Sequence, residues 1–448
     1  MSSRNTVEEP GRRTAVYRQA DVVVLGGGPT GIAAAAAAAR AGLTTVLVER
    51  SGYLGGAGTG GGLSTFCGMY ANVHGEHVQA VGGIATEILE RVAAYDGLRP
   101  PHLSFADRIQ AQAYDIPAYR FAADDLILDS GAELIFHAFG VGVLMDGDRI
   151  DALLIESKEG RMALSARFFI DASGDGDLAY WAGATLEHSD RHHLTYPSTM
   201  FRINHVDPEE AGAAWKTLPK MMDAAVVGGR PPFPRRGAIV RPQRDGIEWR
   251  ANATQLRTSD GGAIDGTKLA ELSLGEVQGR RQAQEVFSFI KKNHPGFEDA
   301  YIVDIGPDIG IRETRRLVGA YQLTLDDVLG CADFEDSIGL NGWPVEAHVD
   351  GNVEIRWHYG DNPRGYHQLP YRMLVAPSVP NLLVGGRCAS MTSGGHSAAR
   401  VAGPCFAMGQ AAGTAAALAV ADGVAAADVS VPRLQASLRE QGAILELP

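Results

Sequence analysis

The sequence has few cysteines, and none of them stand in pairs at redox or metal-binding spacing. The four cysteines are scattered along the chain, at Cys67, Cys331, Cys388 and Cys405. A C-x-x-C disulfide oxidoreductase and a cysteine-rich zinc or iron–sulfur site are therefore not indicated. Reduced thiols and a cytoplasmic location are the default expectation for this pattern.

Basic charge and long apolar runs are also scarce. The chain has 40 Lys and Arg against 53 Asp and Glu, a net charge of −13, which argues against nucleic acid or an anionic membrane as a partner. The alanine-rich stretch Ala411–Val429 is interrupted by Asp422 and Gly423, so no membrane span is expected. Residues 1–17 lack the apolar core of a signal peptide and are expected to form a flexible tail.

Glycine is abundant, and much of it follows apolar runs. Asp21–Leu25 is typical of a buried parallel strand, and Gly26, Gly28 and Gly31 follow it with the spacing G-x-G-x-x-G. The first glycine allows a tight turn, the second lets backbone approach a pyrophosphate, and the third lets a helix pack closely. The alanine-rich stretch Thr30–Arg40 predicts that helix, with its amino end facing the phosphates.

An acidic residue ends the next predicted strand, Thr44–Val48. Glu49 lies 23 positions after Gly26, where a carboxylate can accept hydrogen bonds from a ribose diol and would repel a 2′-phosphate. Residues 51–64 then contain seven glycines in fourteen positions. A flexible linker and a second backbone cradle are both compatible with this stretch, and its place directly after the ribose acid favours the cradle.

Two later segments also place glycines after an apolar run. Phe169–Asp177, FIDASGDGD, predicts a strand end that returns to the nucleotide, with a turn that only caps the following helix as the alternative. The segment Asn381–Ala417 begins with the predicted strand Leu382–Val384. It continues through Gly385, Gly386 and Arg387 into a long predicted helix of small residues, from about Gly403.

Together these segments resemble the large family of FAD-dependent oxidoreductases that shares its nucleotide fold with glutathione reductase and the fumarate-reductase flavoproteins. The resemblance implies an α/β fold, with a Rossmann-like FAD-binding domain of parallel sheet and β-meander plus an inserted α+β substrate domain. It implies that residues 18–187 and 370–448 form the FAD-binding domain and that residues 188–369 form the substrate domain. The residues expected to bind noncovalent FAD are Gly26, Gly28, Pro29, Thr30, Gly31, Glu49, Arg50, Gly55, Gly56, Gly58, Thr59, Gly140, Val141, Ala172, Ser173, Gly174, Asp175, Gly386, Arg387 and Gly403.

Two charged clusters in the inserted segment leave alternatives open. His188, His192 and His193 have no acid or cysteine at ligand spacing, so a polar loop is favoured over a metal site and no metal is expected. The segment IGIRETRRLVG resembles a family signature, and its charged residues need partners if they are buried. A substrate-orienting role and a structural ion-pair network explain this cluster equally well; its members are Arg312, Glu313, Arg315 and Arg316.

The rest of the sequence limits the classes of reaction that the protein could catalyse. No second G-x-G-x-x-G occurs between the two halves of the predicted FAD-binding domain, so a built-in NAD(P)H domain is not expected. Hydride exchange between flavin N5 and a small organic substrate remains, as in an oxidase or dehydrogenase, with oxygen, a quinone or another molecule as electron acceptor. A flavin-dependent alkene reductase and a non-catalytic flavin-binding protein are the alternatives, and a homo-oligomer is compatible with the sequence.

Four residues are candidates for catalysis. His396 is the first choice for a general base because its loop precedes the helix expected to face the flavin. Arg400, one turn later, could bind a carboxylate. In an alkene reductase, either Arg400 or Arg312 would be the proton donor or anion clamp. His367 and Tyr371 are second candidates from the substrate domain.

Overall fold

The computed structural model describes residue 9 and residues 11–349, 351–360 and 363–447. Residues 1–8 and 10 of the predicted tail lie outside the described residues, and the first strand already begins at Ala15. The elements up to His188 are, in order, β1 (Ala15–Leu25), α1 (Pro29–Arg40), β2 (Thr45–Val48), β3 (Thr65–Phe66), β4 (Tyr70–Val73), β5 (Glu76–Gln79), α2 (Ile84–Ala94), β6 (His102–Ser104), β7 (Ile109–Ala113), α3 (Ile116–Ser130), β8 (Glu133–Ile135), β9 (Phe139–Asp146), β10 (Arg149–Ser157), β11 (Gly160–Asp171), α4 (Asp177–Trp181) and β12 (Leu186–His188).

The remaining elements form two groups. Those up to residue 370 are β13 (Phe201–Asn204), α5 (Pro208–Ala211), α6 (Ala214–Val227), β14 (Ile239–Pro242), β15 (Trp249–Asn252), α7 (Leu269–Asn293), β16 (Tyr301–Ile305), β17 (Arg315–Leu317), α8 (Leu325–Leu329), β18 (Ser337–Asn341), β19 (Val345–Val349), β20 (Asn352–Arg356) and β21 (His367–Pro370). The last group is β22 (Leu382–Val384), α9 (Ser393–Ala399), α10 (Ala402–Asp422) and α11 (Val431–Glu440).

One sheet organises the cofactor domain. Its strand order is β8-β2-β1-β11-β10-β9, and β22 pairs with the end of β11. Strands β8, β2, β1, β11 and β22 run parallel, whereas β9 and β10 pair antiparallel with their neighbours and form the meander. The α/β fold with a Rossmann-like parallel sheet and β-meander is thereby confirmed.

Small residues let two helices pack against each other beside this sheet. Helix α1 is alanine-rich and almost entirely buried, and α10 lies along it. A Cβ atom on Gly409 would lie 2.2 Å from the carbonyl oxygen of Thr30, and one on Gly413 would lie 2.2 Å from that of Ala34. Helix α10 is long and apolar enough to span a membrane by length and composition, but 83% of its apolar window is buried inside the protein.

The inserted segment has an antiparallel sheet with its own core. The strand order is β14-β15-β13-β16, and helices α6 and α7 cover it with a cluster of apolar residues between Phe201 and Ile305. Later parts of the segment pack elsewhere, because Leu323, Ile338 and Leu369 belong to the core built around α1 and α10. The separate core is therefore shorter than the predicted substrate domain of residues 188–369.

Replacement of Gly409 by Val tests the contact between α1 and α10. The new side chain would overlap the backbone of α1, so we expect a loss of about 1–3 kcal/mol of stability, the usual cost of overpacking. The measurement is the midpoint of thermal unfolding of the purified protein. Ala417→Ser, at a partly exposed position of the same helix, is the control, and an equal midpoint for both variants would contradict the close contact.

Candidate functional site

Three strand ends meet at one edge of the parallel sheet. Leu25 at the end of β1 is in register with Asp171 at the end of β11, and Asp171 is in register with Val384 at the end of β22. The chain leaves all three strands into glycine-containing turns. A cavity of about 570 Å³ begins at these turns and extends to the inserted sheet, a volume within the usual range for ligand sites.

Of the three glycines of the first motif, Gly26 and Gly31 pack against neighbouring backbone, whereas Gly28 has open space beside it. A Cβ on Gly26 would lie 2.4 Å from the oxygen of Ala172, and one on Gly31 would lie 1.7 Å from that of Gly26. A Cβ on Gly28 would meet nothing within 4 Å, although Gly28 lines the cavity and caps the amino end of α1. That open helix end is a ready anion-binding site for a pyrophosphate.

The acid after β2 also lines the cavity. The Oε2 atom of Glu49 accepts a hydrogen bond from the backbone N–H of Gly27 at 2.7 Å, and Oε1 accepts one from Ser51 N–H at 2.7 Å. The two backbone donors fix the carboxylate, and each oxygen retains a lone pair for a ribose hydroxyl. The position and orientation of Glu49 therefore suit the predicted ribose contact.

An ion pair joins the second and third turns. Arg387 Nη2 lies 2.8 Å from Asp175 Oδ1, and Thr314 donates its hydroxyl to the same oxygen at 2.7 Å. Burial alone would raise the pKa of Asp175, but the charge of Arg387 and these hydrogen bonds hold it below its ordinary value. The positive charge of Arg387 is thus compensated within the chain.

The structure brings most of the predicted cofactor residues to this cavity and leaves some away from it. The predicted residues that line the cavity are Gly26, Gly28, Pro29, Thr30, Glu49, Arg50, Gly56, Gly58, Ala172, Ser173, Gly174, Asp175, Gly386 and Arg387. The predicted residues outside the lining are Gly31, Gly55, Thr59, Gly140, Val141 and Gly403.

Close packing explains several of the residues outside the lining. Gly55 has φ of +102° and its N–H donates to Gly27, so it shapes the loop behind the cavity. Thr59 donates its hydroxyl to the carbonyl of Leu54. A Cβ on Gly403 would lie 2.0 Å from the oxygen of Gly68. These positions support the cradle without reaching the cavity.

Of the four predicted catalytic residues, only Arg400 lines the cavity. His396 is fully buried, and neither of its ring nitrogens has a hydrogen-bond partner. His367 is packed against Asn341, with Nε2 3.0 Å from the amide nitrogen, and the Tyr371 hydroxyl donates to the carbonyl of Ala426. The structure therefore does not place His396, His367 or Tyr371 where they could touch a ligand, because the elements that hold them turn their side chains into the protein core.

The charged cluster of residues 312–316 separates into different roles. Arg316 is fully buried and paired with Glu313, and Arg315 pairs with Asp177. Arg312 instead lines the cavity, where its guanidinium donates to Tyr196 O at 2.7 Å and Ser198 Oγ at 2.8 Å. The ion-pair network and the candidate anion ligand are thus both present, in different residues.

Strand β19 contributes two cavity residues that sequence reasoning missed. Glu346 and His348 stand two positions apart and both line the cavity, with His348 Nε2 3.1 Å from Glu346 Oε1. Trp343 donates its indole N–H to Glu346 Oε2 at 2.9 Å, and Arg400 donates to the Glu346 carbonyl at 3.2 Å. The sequence signal that could have paired these two residues is their spacing, because side chains two positions apart in a strand lie on the same face.

The protonation states of this pair follow from its surroundings. Burial and the neighbouring Arg312 hold the pKa of His348 well below its ordinary value. Burial would raise the pKa of Glu346, but the hydrogen bond from His348 and the charge of Arg400 lower it. The carboxylate is therefore ionised and the imidazole neutral. Since a carboxylate can only accept, Nε2 carries the proton and Nδ1 is the basic nitrogen.

Metal binding has no comparable set of side chains in the described parts of the chain. Among those residues, no group of three or more His, Cys, Asp and Glu is placed to hold a metal ion. Of the predicted loop histidines, His188 lies 3.3 Å from Asp265, an ordinary ion-pair partner.

The comparisons with known proteins identify the family. Residues 21–438 match the family described as FAD dependent oxidoreductase, and the chain belongs to this family. FAD is accordingly its cofactor, and Gly28, Glu49 and Asp175, which are among the residues predicted to bind it, line the same cavity.

Individual relatives are more distant. Thiamine thiazole synthases of Methanococcus vannielii and Methanococcus maripaludis are each 28% identical, over 164 and 163 residues that cover 35% and 34% of this chain and 56% of each relative. The chain thus spans about half the length of these curated relatives. A geranylgeranyl bacteriochlorophyll reductase-like protein from Thermoplasma acidophilum is 14% identical, with a TM-score of 0.48, over 95% of this chain and 84% of that chain. The solved structure of BexE is 14% identical, with a TM-score of 0.48, and the match covers 94% of this chain and 67% of that chain.

Replacement of Gly28 by Val separates cofactor binding from folding. The side chain would project into open cavity space at the helix end, so we expect at least a tenfold loss of FAD affinity while the apoprotein unfolds within about 0.5 kcal/mol of the wild type, as a change without protein contacts should. FAD released by acid denaturation is quantified by fluorescence, which also tests the predicted noncovalent attachment. Gly31→Val, expected to impair folding itself, is the comparison, and full FAD retention in Gly28→Val would contradict the placement.

Proposed function

We propose that this protein is an FAD-dependent dehydrogenase or oxidase of a small organic acid whose reacting carbon carries a hydroxyl or amino group. One observation supports the proposal above all others. On the wall beyond the FAD cradle, Arg312 and Arg400 stand beside a neutral histidine held by an ionised carboxylate. This set combines donors for an anion with an acceptor for a proton, as oxidation of an alcohol or amine requires.

The two arginines supply the anion site. Arg312 is only 8% exposed and is held by two neutral acceptors, and the Nε atom of Arg400 has no partner. Burial lowers the pKa of both guanidinium groups, and the charges of Arg400 and Arg235 lower that of Arg312 further, whereas the carboxylates of Glu346 and Glu313 partly offset the effect of burial on Arg400. A substrate carboxylate between them would provide the missing hydrogen bonds and relieve the repulsion of like charges.

His348 supplies the proton acceptor. Nδ1 takes the proton of the substrate hydroxyl or amine, while Glu346 holds the ring through Nε2 and stabilises the imidazolium that forms. FAD held in the cavity would supply the two-electron acceptor for the same carbon, so that the substrate would lose two electrons and two hydrogens and become a carbonyl or imine. Oxygen, a quinone or another acceptor would be needed to take up these two electrons.

Reduction of an activated alkene is the second candidate. The same arginines would bind the acid, and Arg312 or Arg400 would deliver the proton. A flavin-binding protein without turnover is the third, and the concentration of buried charge on the cavity wall argues against it, because unpaired charges cost stability.

A cytoplasmic location and a homo-oligomer remain predictions.

An anaerobic experiment separates the candidates. Oxidised holoprotein is mixed with 2-hydroxy and 2-amino acids, and photoreduced holoprotein with 2-enoic acids, while the flavin absorbance is followed. Bleaching of the oxidised flavin by a hydroxy or amino acid supports the proposal. Reoxidation of the reduced flavin only by an alkene would contradict the proposal and support the alkene reductase. An unchanged flavin spectrum with every acid would support the flavin-binding protein without turnover.

Arg400→Gln tests the anion site. The variant keeps a hydrogen-bonding side chain but lacks the charge and the bidentate fork, so we expect about 2–5 kcal/mol weaker binding of the substrate acid, typical of breaking a buried charged pair. The readout is the Kd of the acid from the flavin difference spectrum. Arg439→Gln at the end of α11 is the control for loss of one positive charge, and equal Kd values in both variants would exclude Arg400 as a ligand.

The pH profile tests the base. Because the pKa of His348 is held well below its ordinary value, the neutral form persists as the pH falls, and kcat/KM should show no inflection near the ordinary histidine pKa of about 6.5. His348→Asn should lower kcat about 10²–10⁴-fold with little change in the Kd of the acid. An inflection near that ordinary value in the wild type that disappears in His348→Asn would contradict the neutral state, and an unchanged kcat would contradict the role.

A further inference from the structure

A second group of nitrogen-bearing side chains lines the cavity on elements separate from Arg312 and Arg400. Arg241 comes from β14, Arg250 and Asn252 from the paired strand β15, and His102 from β6. In the cross-strand register, Arg241 lies directly opposite Arg250. Two like charges opposite each other destabilise a sheet unless something else compensates for them.

No carboxylate compensates for these arginines within the described part of the chain. Arg250 is 6% exposed, donates from Nη1 to the carbonyl of Leu63 at 2.5 Å, and has an Nε atom without a partner. Arg241 has no ion pair there; its guanidinium lies 5.4 Å from the Trp215 ring centroid. Burial and the charge of Arg250 lower the pKa of Arg241. A buried cation without a counter-charge is costly, so this group suits an anionic ligand.

A buried arginine behind Asn252 fixes how the amide faces. Arg235 donates from Nη1 to Asn252 Oδ1 at 2.5 Å. Since a guanidinium has only donors, the amide oxygen must point to Arg235, which leaves the NH₂ group of Asn252 for the cavity. Arg235 thereby makes Asn252 a third donor beside Arg241 and Arg250.

His102 completes the group as a neutral ring. Burial and the charges of Arg250 and Arg241 lower the pKa of His102 to about 4, so the imidazole is uncharged at neutral pH and can donate one N–H. The other titratable groups that influence this cluster are the thiol of Cys67 and the hydroxyl of Tyr114, both un-ionised because burial raises their pKa values.

We propose that Arg241, Arg250 and Asn252 bind a second oxyanion of the substrate, so that the substrate is a small organic dianion such as a dicarboxylic acid. This inference rests on the proposed function, in which Arg312 and Arg400 bind the first carboxylate. The FAD pyrophosphate has its own site at Gly28 and the amino end of α1, so the arginines of the inserted sheet are available to the substrate.

The test is a binding series on the holoprotein. Unbranched α,ω-dicarboxylates of increasing length are titrated against monocarboxylates of the same length, and against acids that end in a phosphonate, with Kd read from the flavin difference spectrum and from calorimetry. At one chain length, the dicarboxylate or the phosphonocarboxylate should bind at least tenfold more tightly than the monocarboxylate. Whichever of these two ligands has the lower Kd shows whether the second anionic group of the substrate is a carboxylate or a phosphate-like anion.

Two variants locate the second group. Arg241→Gln should abolish the tenfold preference and leave the Kd of the monocarboxylate unchanged. Ile239→Glu should have the same effect, because it adds a carboxylate two positions from Arg241 on the same cavity-lining strand. Arg236→Gln, an exposed position in the preceding turn, is the control and should keep the preference.

Each contrary outcome is distinct. Monocarboxylate binding that depends on Arg400, with no preference for any diacid, would overturn this inference and leave the proposed function standing. No binding of any acid would overturn both. Loss of FAD from both Arg241→Gln and Ile239→Glu would show that the arginines hold the cofactor, which also overturns the inference.

Discussion

The common level at which strands β1, β11 and β22 end determines where everything else in the cofactor domain lies. Backbone hydrogen bonds run from Ala172 N–H to Leu25 O and from Gly385 N–H to Asp171 O, so the three turns leave the sheet side by side. Because parallel strands present their carboxyl ends at one edge, segments separated by more than a hundred residues along the chain meet there. The register of the three strands therefore determines where the turns that line the cavity lie.

The glycine and alanine content follows from the same constraint. Helix α1 leaves the first of these turns and packs closely against α10, where Gly409 and Gly413 leave no room for side chains. In the first motif only Gly28 leaves room for a side chain, whereas Gly26, which also lines the cavity, and Gly31 pack against neighbouring backbone. A fingerprint that is read as cofactor recognition is therefore in large part a condition for helix–sheet packing.

This division explains how much the sequence alone could predict. The cavity begins at strand ends followed by glycine-containing turns. Such strand–turn units are local in sequence, so the fold around them could be predicted from the spacing of glycines and apolar residues. His396 precedes α10, the helix that the sequence predicts to face the flavin, yet it lies in α9, which turns its side chain into the core, where it is fully buried. Glu346 and His348 reach the cavity only because β19 folds back from the inserted segment, and such a tertiary approach leaves no local pattern beyond their two-residue spacing.

The charge on the cavity wall is opposite in sign to the net charge of the whole protein. The chain has a net charge of −13, while the wall beyond the cradle gathers buried arginines around the carboxylate of Glu346. Burial and the charge of Arg312 suppress protonation of His348 by lowering its pKa. A bound carboxylate would cancel that charge, raise the pKa of His348 and make the ring an effective base only when an acid is present. In the proposed reaction, substrate binding and proton transfer would thus be coupled through one guanidinium, which would discriminate against neutral molecules even where they fit the cavity.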